Sequence, residues 1–312
     1  MSDHSAVSSP NGSVAPISGT SAVGAPSAAA RAHVIDIVRR SRSSFQTGMR
    51  LLPPRRRLAM YAVYAFCRLV DDIADGGEAR DRKAERLSDW SQEIDAVYSG
   101  KPTHPVGEVL CWAAGRYDLP KAEFEAVIAG MMHDIEGETV LADRAALTLY
   151  ARQVAGAVGI LSVRIFGVPH PESELFATEL GEALQLANIL RDVDEDAAVG
   201  RVYVPQSCLR RHGVPAAAPA VVVAHDGFVV ACGELATEAA SKFAEARAIA
   251  GRIRSPRLAP AMVMMAVYAD LLRSLNARGW TAPRQPVVRS STRKAAVAIR
   301  GAALGWRWPS FT

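Results

Sequence analysis

Apolar residues recur every three to four positions from about Arg31 to about Gly279, the spacing of one buried face along a helix. No stretch alternates apolar and polar positions as a half-buried strand would. The pattern breaks at Pro53-Pro54, Gly76-Gly77, Gly100–Pro105, Pro120, Gly137, Gly167–Pro171, Gly200, Gly213–Pro219 and Ser255-Pro256, leaving intervals of about 15–35 residues. Each interval holds one helix or a helix pair. The pattern therefore predicts a single all-α domain over residues 31–280, with an N-terminal tail over 1–30 and a C-terminal tail over 281–312. Ser, Ala, Gly and Pro dominate residues 1–30, and Asp3 is their only acid. Without a basic start and a compact apolar run, that segment is expected to be a disordered tail and no secretory signal.

Two of the apolar rows run directly into acids. Leu58–Phe66 leads to Asp71-Asp72-Ile73-Ala74-Asp75, and Leu184–Leu190 leads to Asp192-Val193-Asp194-Glu195-Asp196. In each motif the outer Asp residues are four apart, so on a helix they project from one face, one turn apart. A single such pair is ordinarily a solvated face. Two pairs, each following a core-facing row and each beside an arginine, point inward instead. Burying carboxylates costs several kcal/mol apiece unless cations compensate, and Mg²⁺ together with a polyanion it holds would do so. Gln185, Asn188 and Asp192 share a stripe, and Asn188 offers an amide oxygen to a hard cation. Arg68 and Arg191 are placed to grip diphosphate oxygens that the metal leaves uncovered.

Composition narrows the class without changing it. The chain has 312 residues, is 49% hydrophobic, and carries a net charge of +4. Cys67, Cys111, Cys208 and Cys232 form no zinc spacing and are expected to be reduced thiols. No segment reads as about 20 uninterrupted apolar residues, so no membrane span is expected. Eight positive and no negative charges follow Asp270 (Arg273, Arg278, Arg284, Arg289, Arg293, Lys294, Arg300 and Arg307). With Trp306 and Trp308 at its end, the basic tail is expected to lie against an anionic membrane, leaving a cytoplasmic protein peripheral to the inner membrane face. A solvated tail is the plainer alternative, and no nucleic-acid partner is expected.

A metal-bound diphosphate beside an apolar interior suits loss of diphosphate from carbon, with water excluded from the cation left behind. Phe45 and Tyr64 are candidates to face that cation, although core packing also explains both. Val154–Leu161 is rich in Ala and Gly, which fits either close helix packing or room for a long apolar ligand.

Ser44-Phe45 with Leu51-Leu52-Pro53, Tyr64–Asp75, Val154–Gly159, and Gln185–Asp196 with Gly200–Pro205 together resemble the squalene/phytoene synthases, over about residues 33–280. The resemblance implies the isoprenoid synthase fold, a single helical domain around a central apolar cavity. It implies Asp71, Asp75, Asn188, Asp192 and Asp196 at a metal–diphosphate site, with Asp71, Asp75, Asp192, Asp196 and Tyr64 catalytic. Substrate contacts are implied for Ser41, Ser44, Phe45, Tyr64, Arg68, Gln185, Arg191 and Tyr268.

Within the family the chain most resembles the bacterial presqualene diphosphate synthases of hopanoid-type squalene biosynthesis, in Ser43-Ser44-Phe45 with Met49–Pro53, in Val70–Asp75 and in Arg191–Asp196. One departure supports this, since Tyr150-Ala151-Arg152-Gln153 lacks the aromatic residues that full synthases carry before Val-Ala-Gly. The expected reaction is Mg²⁺-dependent head-to-head condensation of two farnesyl diphosphates without NADPH, for which no glycine-rich fingerprint is evident. The departing diphosphate, Tyr64 and Tyr203 are alternative bases. Downstream isoprenoid enzymes are candidate partners. Phytoene, dehydrosqualene or complete squalene synthesis are the alternatives within enzymes, and a non-catalytic membrane-surface adaptor is the alternative outside them.

Overall fold

Every break in the apolar pattern except Gly137, which lies outside the described residues, falls at an end of a helix in the computed structural model, which describes residues 24–41, 45–136, 141–287, 290, 296, 297, 299 and 301. Helices α1 (Ala28–Ser41) and α2 (Phe45–Met49) precede α3 (Pro54–Asp75), whose start is set by Pro54 in the first turn, where a missing N–H does no harm. Then come α4 (Arg80–Tyr98), α5 (Pro105–Tyr117), α6 (Lys121–Glu136) and α7 (Arg144–Ala151). A π-helical turn, Arg152–Gly156, joins α7 to α8 (Ala157–Phe166). Gly167 ends α8 in the left-handed conformation that glycine adopts without strain.

Beyond it lie α9 (Ser173–Arg191), α10 (Val193–Ala198), α11 (Gln206–Arg211), α12 (Pro219–Ala224), α13 (Asp226–Ile253) and α14 (Ala259–Arg278). The described residues contain no strand of regular length.

The core is one continuous cluster with Phe66, Phe124, Phe176, Phe228 and Phe243 fully buried. Helix α9 lies at its centre, against α13, α8, α14 and the π-helical turn, while α3 packs on α1, α5, α6 and α8. Glycine makes the approach of α9 to α8 and to the π-helical turn possible. A Cβ on Gly159 would lie 2.5 Å from the Ala177 carbonyl oxygen, and one on Gly181 would lie 2.7 Å from the Ala155 carbonyl oxygen. The small residues of Val154–Leu161 thus serve close packing at Gly159. They also leave room, because Val154, Ala155, Val158 and Gly159 line an apolar cavity.

Two stretches, Arg144–Phe166 and Pro256–Arg278, are long and apolar enough to cross a membrane, which the sequence pattern did not suggest. Their most apolar windows are 44% and 78% buried inside the protein, the latter in the core and the former beside the cavity. The C-terminal segment also stays packed past the expected boundary at 280. Trp280 is buried and the Arg284 side chain is 1% exposed. Arg273 pairs with Asp270 at 3.4 Å, and Arg278 lies over the Trp280 ring. Three of the eight C-terminal charges are therefore engaged by the fold, contrary to a tail that is solvated throughout. Arg289, Arg293, Lys294, Arg300 and Arg307, like Trp306, Trp308 and residues 1–23, lie outside the described residues.

Candidate active site

One face of α3 changes character along its length. Met60, Val63, Tyr64 and Cys67 line an apolar cavity, and Cys67, Arg68, Asp71 and Asp75 line a polar one. Helix α9 repeats the pattern with Ala177, Gly181, Leu184 and Gln185, followed by Asn188 and then Asp192. Both stripes follow the i, i+3/i+4 spacing of a helix, so each presents an apolar wall that ends in oxygen donors. The polar cavity has a volume of about 600 Å³ and the apolar one about 240 Å³. They share Phe45, Tyr64, Cys67, Val154, Gln185 and Asn188, so they form one chamber with an acidic mouth and an apolar tunnel.

The acids sit where a helix least favours them. Asp75 is the last residue of α3 and Asp192 follows the last residue of α9, at the negative ends of both helix dipoles. Asp192 also interrupts the helix expected to run through the second motif. Its backbone leaves helical geometry (φ −100°, ψ 15°), yet Asp192 N–H donates to Asn188 O at 2.9 Å and Asp196 N–H to Asp192 O at 2.7 Å. The one-turn spacing of the two Asp residues survives the kink.

Burial and the charge of Asp75 raise the Asp71 carboxyl to about 6 despite Arg68. Burial and Asp192 raise Asp196 to about 7 despite Arg201. Both directions mark a site short of positive charge.

Arginines cover part of the deficit. Arg68 donates to Asp71 at 3.2 Å and pairs with Asp72, and the Arg191 Nε donates to Asp192 at 2.6 Å. Burial alone would lower the Arg191 pKa, but Asp192 and the Tyr268 hydroxyl raise it. Arg201 joins the two motifs. Gly200, at φ 89°, turns the chain so that the Arg201 N–H donates to Asp196 O at 2.8 Å, while its guanidinium donates to Asp75 at 2.7 Å and to Ala74 O at 3.2 Å. Among the described residues Asp196 forms no ion pair.

The donor set fits a hard divalent cation. Asn188 donates its amide N–H to Gln185 at 3.3 Å, which leaves its buried Oδ1 without a hydrogen-bond partner. An orphaned buried amide oxygen is costly unless something positive meets it. Asp71, Asp75, Asn188, Asp192 and Asp196 supply only oxygen, the set that Mg²⁺ prefers.

Of the expected site residues, Ser41, Phe45, Tyr64, Arg68, Asp71, Asp75, Gln185, Asn188, Arg191, Asp192, Asp196 and Tyr268 line this cavity. Ser44 lies outside the described residues. Phe45 stands 6.3 Å from both the Tyr64 and Tyr268 rings, giving an aromatic trio at the neck between mouth and tunnel. Ser41 reaches the cavity from the end of α1, and its hydroxyl donates to Val38 O at 2.8 Å.

Sequence reasoning missed Asp134, and assigned no role to Tyr150 or Arg201. Asp134 accepts hydrogen bonds from Tyr203 at 2.8 Å and Tyr150 at 3.0 Å, whose rings stack 5.1 Å apart. Burial raises its pKa against those hydrogen bonds and against Arg201. Asp134 stands alone on α6 without a motif, whereas the Gly200–Pro205 block held a signal for Arg201 and Tyr203. Elsewhere, Cys208, His212 and Glu234 bring ligand-type atoms within 4.8 Å of one another. Arg211 and Arg144 already compensate Glu234 there, so the cluster is an ion-pair network.

Fold and site define a helical protein in which an oxygen-rich, cation-seeking mouth opens into an apolar tunnel. Residues 38–294 match the squalene/phytoene synthase family. Over 263 residues the chain is 40% identical to the presqualene diphosphate synthase of Rhodopseudomonas palustris, covering 83% of this chain and 92% of that one. It is 42% identical over 247 residues to the presqualene diphosphate synthase of Zymomonas mobilis, covering 78% and 84%. A crystal structure of a dehydrosqualene synthase with bound ligand superposes with a TM-score of 0.76 at 26% identity, covering 88% of this chain and 96% of that one. The chain belongs to the squalene/phytoene synthase family.

Proposed function

We propose that this protein is a presqualene diphosphate synthase, joining two farnesyl diphosphates head to head with release of one diphosphate and one proton. The observation that carries the proposal is the single chamber in which five oxygen donors and three arginines face an apolar tunnel, in a chain about 40% identical to enzymes of that name. Asp71, Asp75, Asn188, Asp192 and Asp196 would hold Mg²⁺, which when bound neutralises charge developing on the leaving diphosphate. Arg68, Arg191 and Arg201 take the remaining diphosphate oxygens. The tunnel walls, from Met60 and Val63 on α3 to Leu180 and Leu184 on α9, bury prenyl chain and exclude water.

The allylic C–O bond of the donor breaks, its carbon bonds to the acceptor double bond, and loss of a proton closes the cyclopropane. Tyr64 and Phe45 line the neck, where an aromatic ring would stabilise developing positive charge. The departing diphosphate, Tyr64 and Tyr203 remain the candidates to accept the proton. Of these, among the described residues, Tyr203 is backed by a half-buried carboxylate, since its hydroxyl donates to Asp134 at 2.8 Å. Ser41, Ser44, Gln185 and Tyr268 are assigned to substrate contact.

Purified protein given farnesyl diphosphate and Mg²⁺ is expected to release diphosphate and yield presqualene diphosphate, whether or not NADPH is added. Squalene formed only with NADPH would make it a complete squalene synthase. Dehydrosqualene without NADPH would favour the second reading, which the dehydrosqualene synthase superposition supports. No diphosphate release under any condition would leave a non-catalytic adaptor.

The proposal places the enzyme in the cytoplasm, peripheral to the inner membrane face, with the charges beyond residue 287 on anionic lipid. Truncation after Gln285 is expected to abolish cosedimentation with anionic liposomes at low salt while sparing activity on detergent-dispersed substrate. Equal binding by truncated and full-length protein would assign that segment no membrane role.

A further inference from the structure

Arg284 follows α14 in sequence but is packed directly behind the second carboxylate motif, and its side chain is 1% exposed. Each of its three guanidinium nitrogens has a different partner. Nε donates to the Trp280 carbonyl at 2.9 Å, one terminal nitrogen to Asp194 on α10, and the other to the Val223 carbonyl on α12. The guanidinium carbon lies 5.3 Å from the centre of the Phe228 ring on α13. Among the described residues Asp194 is its one carboxylate partner, and a guanidinium buried this deeply without a counter-ion would be strongly destabilising.

Asp194, like Glu195, is an acid of its motif that the metal assignment leaves unused. It lies two residues from both Asp192 and Asp196, about 200° around a helix, and so faces away from the cavity they line. Helix α10 has only six residues, far too few to persist on its own propensity, so tertiary contacts set its orientation. Those contacts include packing on α12, with Val193 buried and Ala197 half-buried against the core, and the Asp194–Arg284 pair. The kink at Asp192 frees α10 from the direction of α9, which makes its rear support decisive for where Asp196 points.

We propose that Arg284 is a positioning residue for the second metal motif: its grip on Asp194 anchors α10 so that Asp192 and Asp196 converge on the cation. The proposal rests on the Mg²⁺ assignment made above. It makes the segment after α14 part of the active-site framework.

Charge and position predict opposite signs for one variant, and this separates the proposal from a general electrostatic effect. Removing the Arg284 charge strengthens the field that attracts a divalent cation, so by charge alone Arg284→Met binds metal more tightly. By loss of position it binds more weakly. Mn²⁺ binding in the presence of inorganic diphosphate, followed by the electron paramagnetic resonance of free Mn²⁺, reads this without turnover. The expected result is Mn²⁺ affinity weakened about 10–100-fold in Arg284→Met, the range for lost support behind metal ligands. Arg284→Lys recovers part of the loss, and Asp194→Asn weakens binding to a similar degree. The double variant should be no worse than either single one. Arg273→Met, which removes a surface charge paired with Asp270, should bind as wild type does.

Unchanged or tighter binding in Arg284→Met would overturn the proposal. Should that variant fail to fold, wild-type affinity in Asp194→Asn would overturn it equally, because Arg284 there keeps its carbonyl partners. Wild-type protein that binds no Mn²⁺ would instead remove the metal assignment itself.

Discussion

Asp196→Asn should make the metal-free protein more stable while destroying its catalysis, and the structure supplies the size of the effect. Burial and Asp192 hold the Asp196 carboxyl at about 7, against an ordinary value of 3.8. The folded pKa exceeds the unfolded one, so the stability contributed by this group is fully present below about pH 4 and is lost as the pH rises through 7. Roughly three pKa units at 1.36 kcal/mol each set an upper bound of about 4 kcal/mol at pH 8. Asp196 opens onto the cavity, and solvent screening reduces that to about 2 kcal/mol. For a domain of this size the gain corresponds to a rise of roughly 4–8 °C in Tm.

Thermal melts of EDTA-treated wild type and Asp196→Asn at pH 8 and pH 5 provide the assay. At pH 5 only about one unit of the shift is in play, so the difference should fall to about a third. Added Mg²⁺ with inorganic diphosphate should reverse the order at pH 8, since wild type gains the binding energy and the variant gains less. Equal or lower Tm for the metal-free variant at pH 8, or a gain independent of pH, would refute the account of Asp196 as a buried charge awaiting a cation.

Asp71→Asn and Asp192→Asn should each abolish diphosphate release from farnesyl diphosphate with helical circular dichroism intact, and near-normal turnover in both would remove the metal assignment. The two should differ in metal-free stability, because Asp71 is raised to about 6 whereas Asp192 is the partner of Arg191; only the first is expected to melt higher at pH 8. Gly181→Ala forces a Cβ to within 2.8 Å of three backbone atoms at Ala155 and Gly156, which should destabilise by about 1–3 kcal/mol in denaturant unfolding. Gly233→Ala on α13 meets nothing within 4 Å and should stabilise by about 0.5–1 kcal/mol, so equal effects at the two sites would contradict the close packing of α9 on the π-helical turn. Arg201→Gln should reduce kcat at saturating Mg²⁺ by removing the bond from Arg201 to Asp75, a loss that steady-state kinetics at varied Mg²⁺ would reveal.

The sequence by itself determined the helices and both acidic ends of the chamber, because these depend on residues near one another in the chain. Helical spacing assigns Met60, Tyr64, Cys67, Asp71 and Asp75 to one stripe before any tertiary contact is known. Proline and glycine placed the breaks for the same reason, since they act on their own backbone. Tertiary structure decided whatever depends on distant segments meeting. It brought Asp134 of α6 to Tyr150 and Tyr203, turned Arg201, just past the second motif, onto Asp75 of the first, and assigned Gly159 to close packing against α9. It also took Arg284 out of a tail expected to lie against a membrane and packed it behind α10. A buried guanidinium and a solvated one are the same letter in a sequence. Only the position of Asp194, some 90 residues away along the chain, distinguishes them.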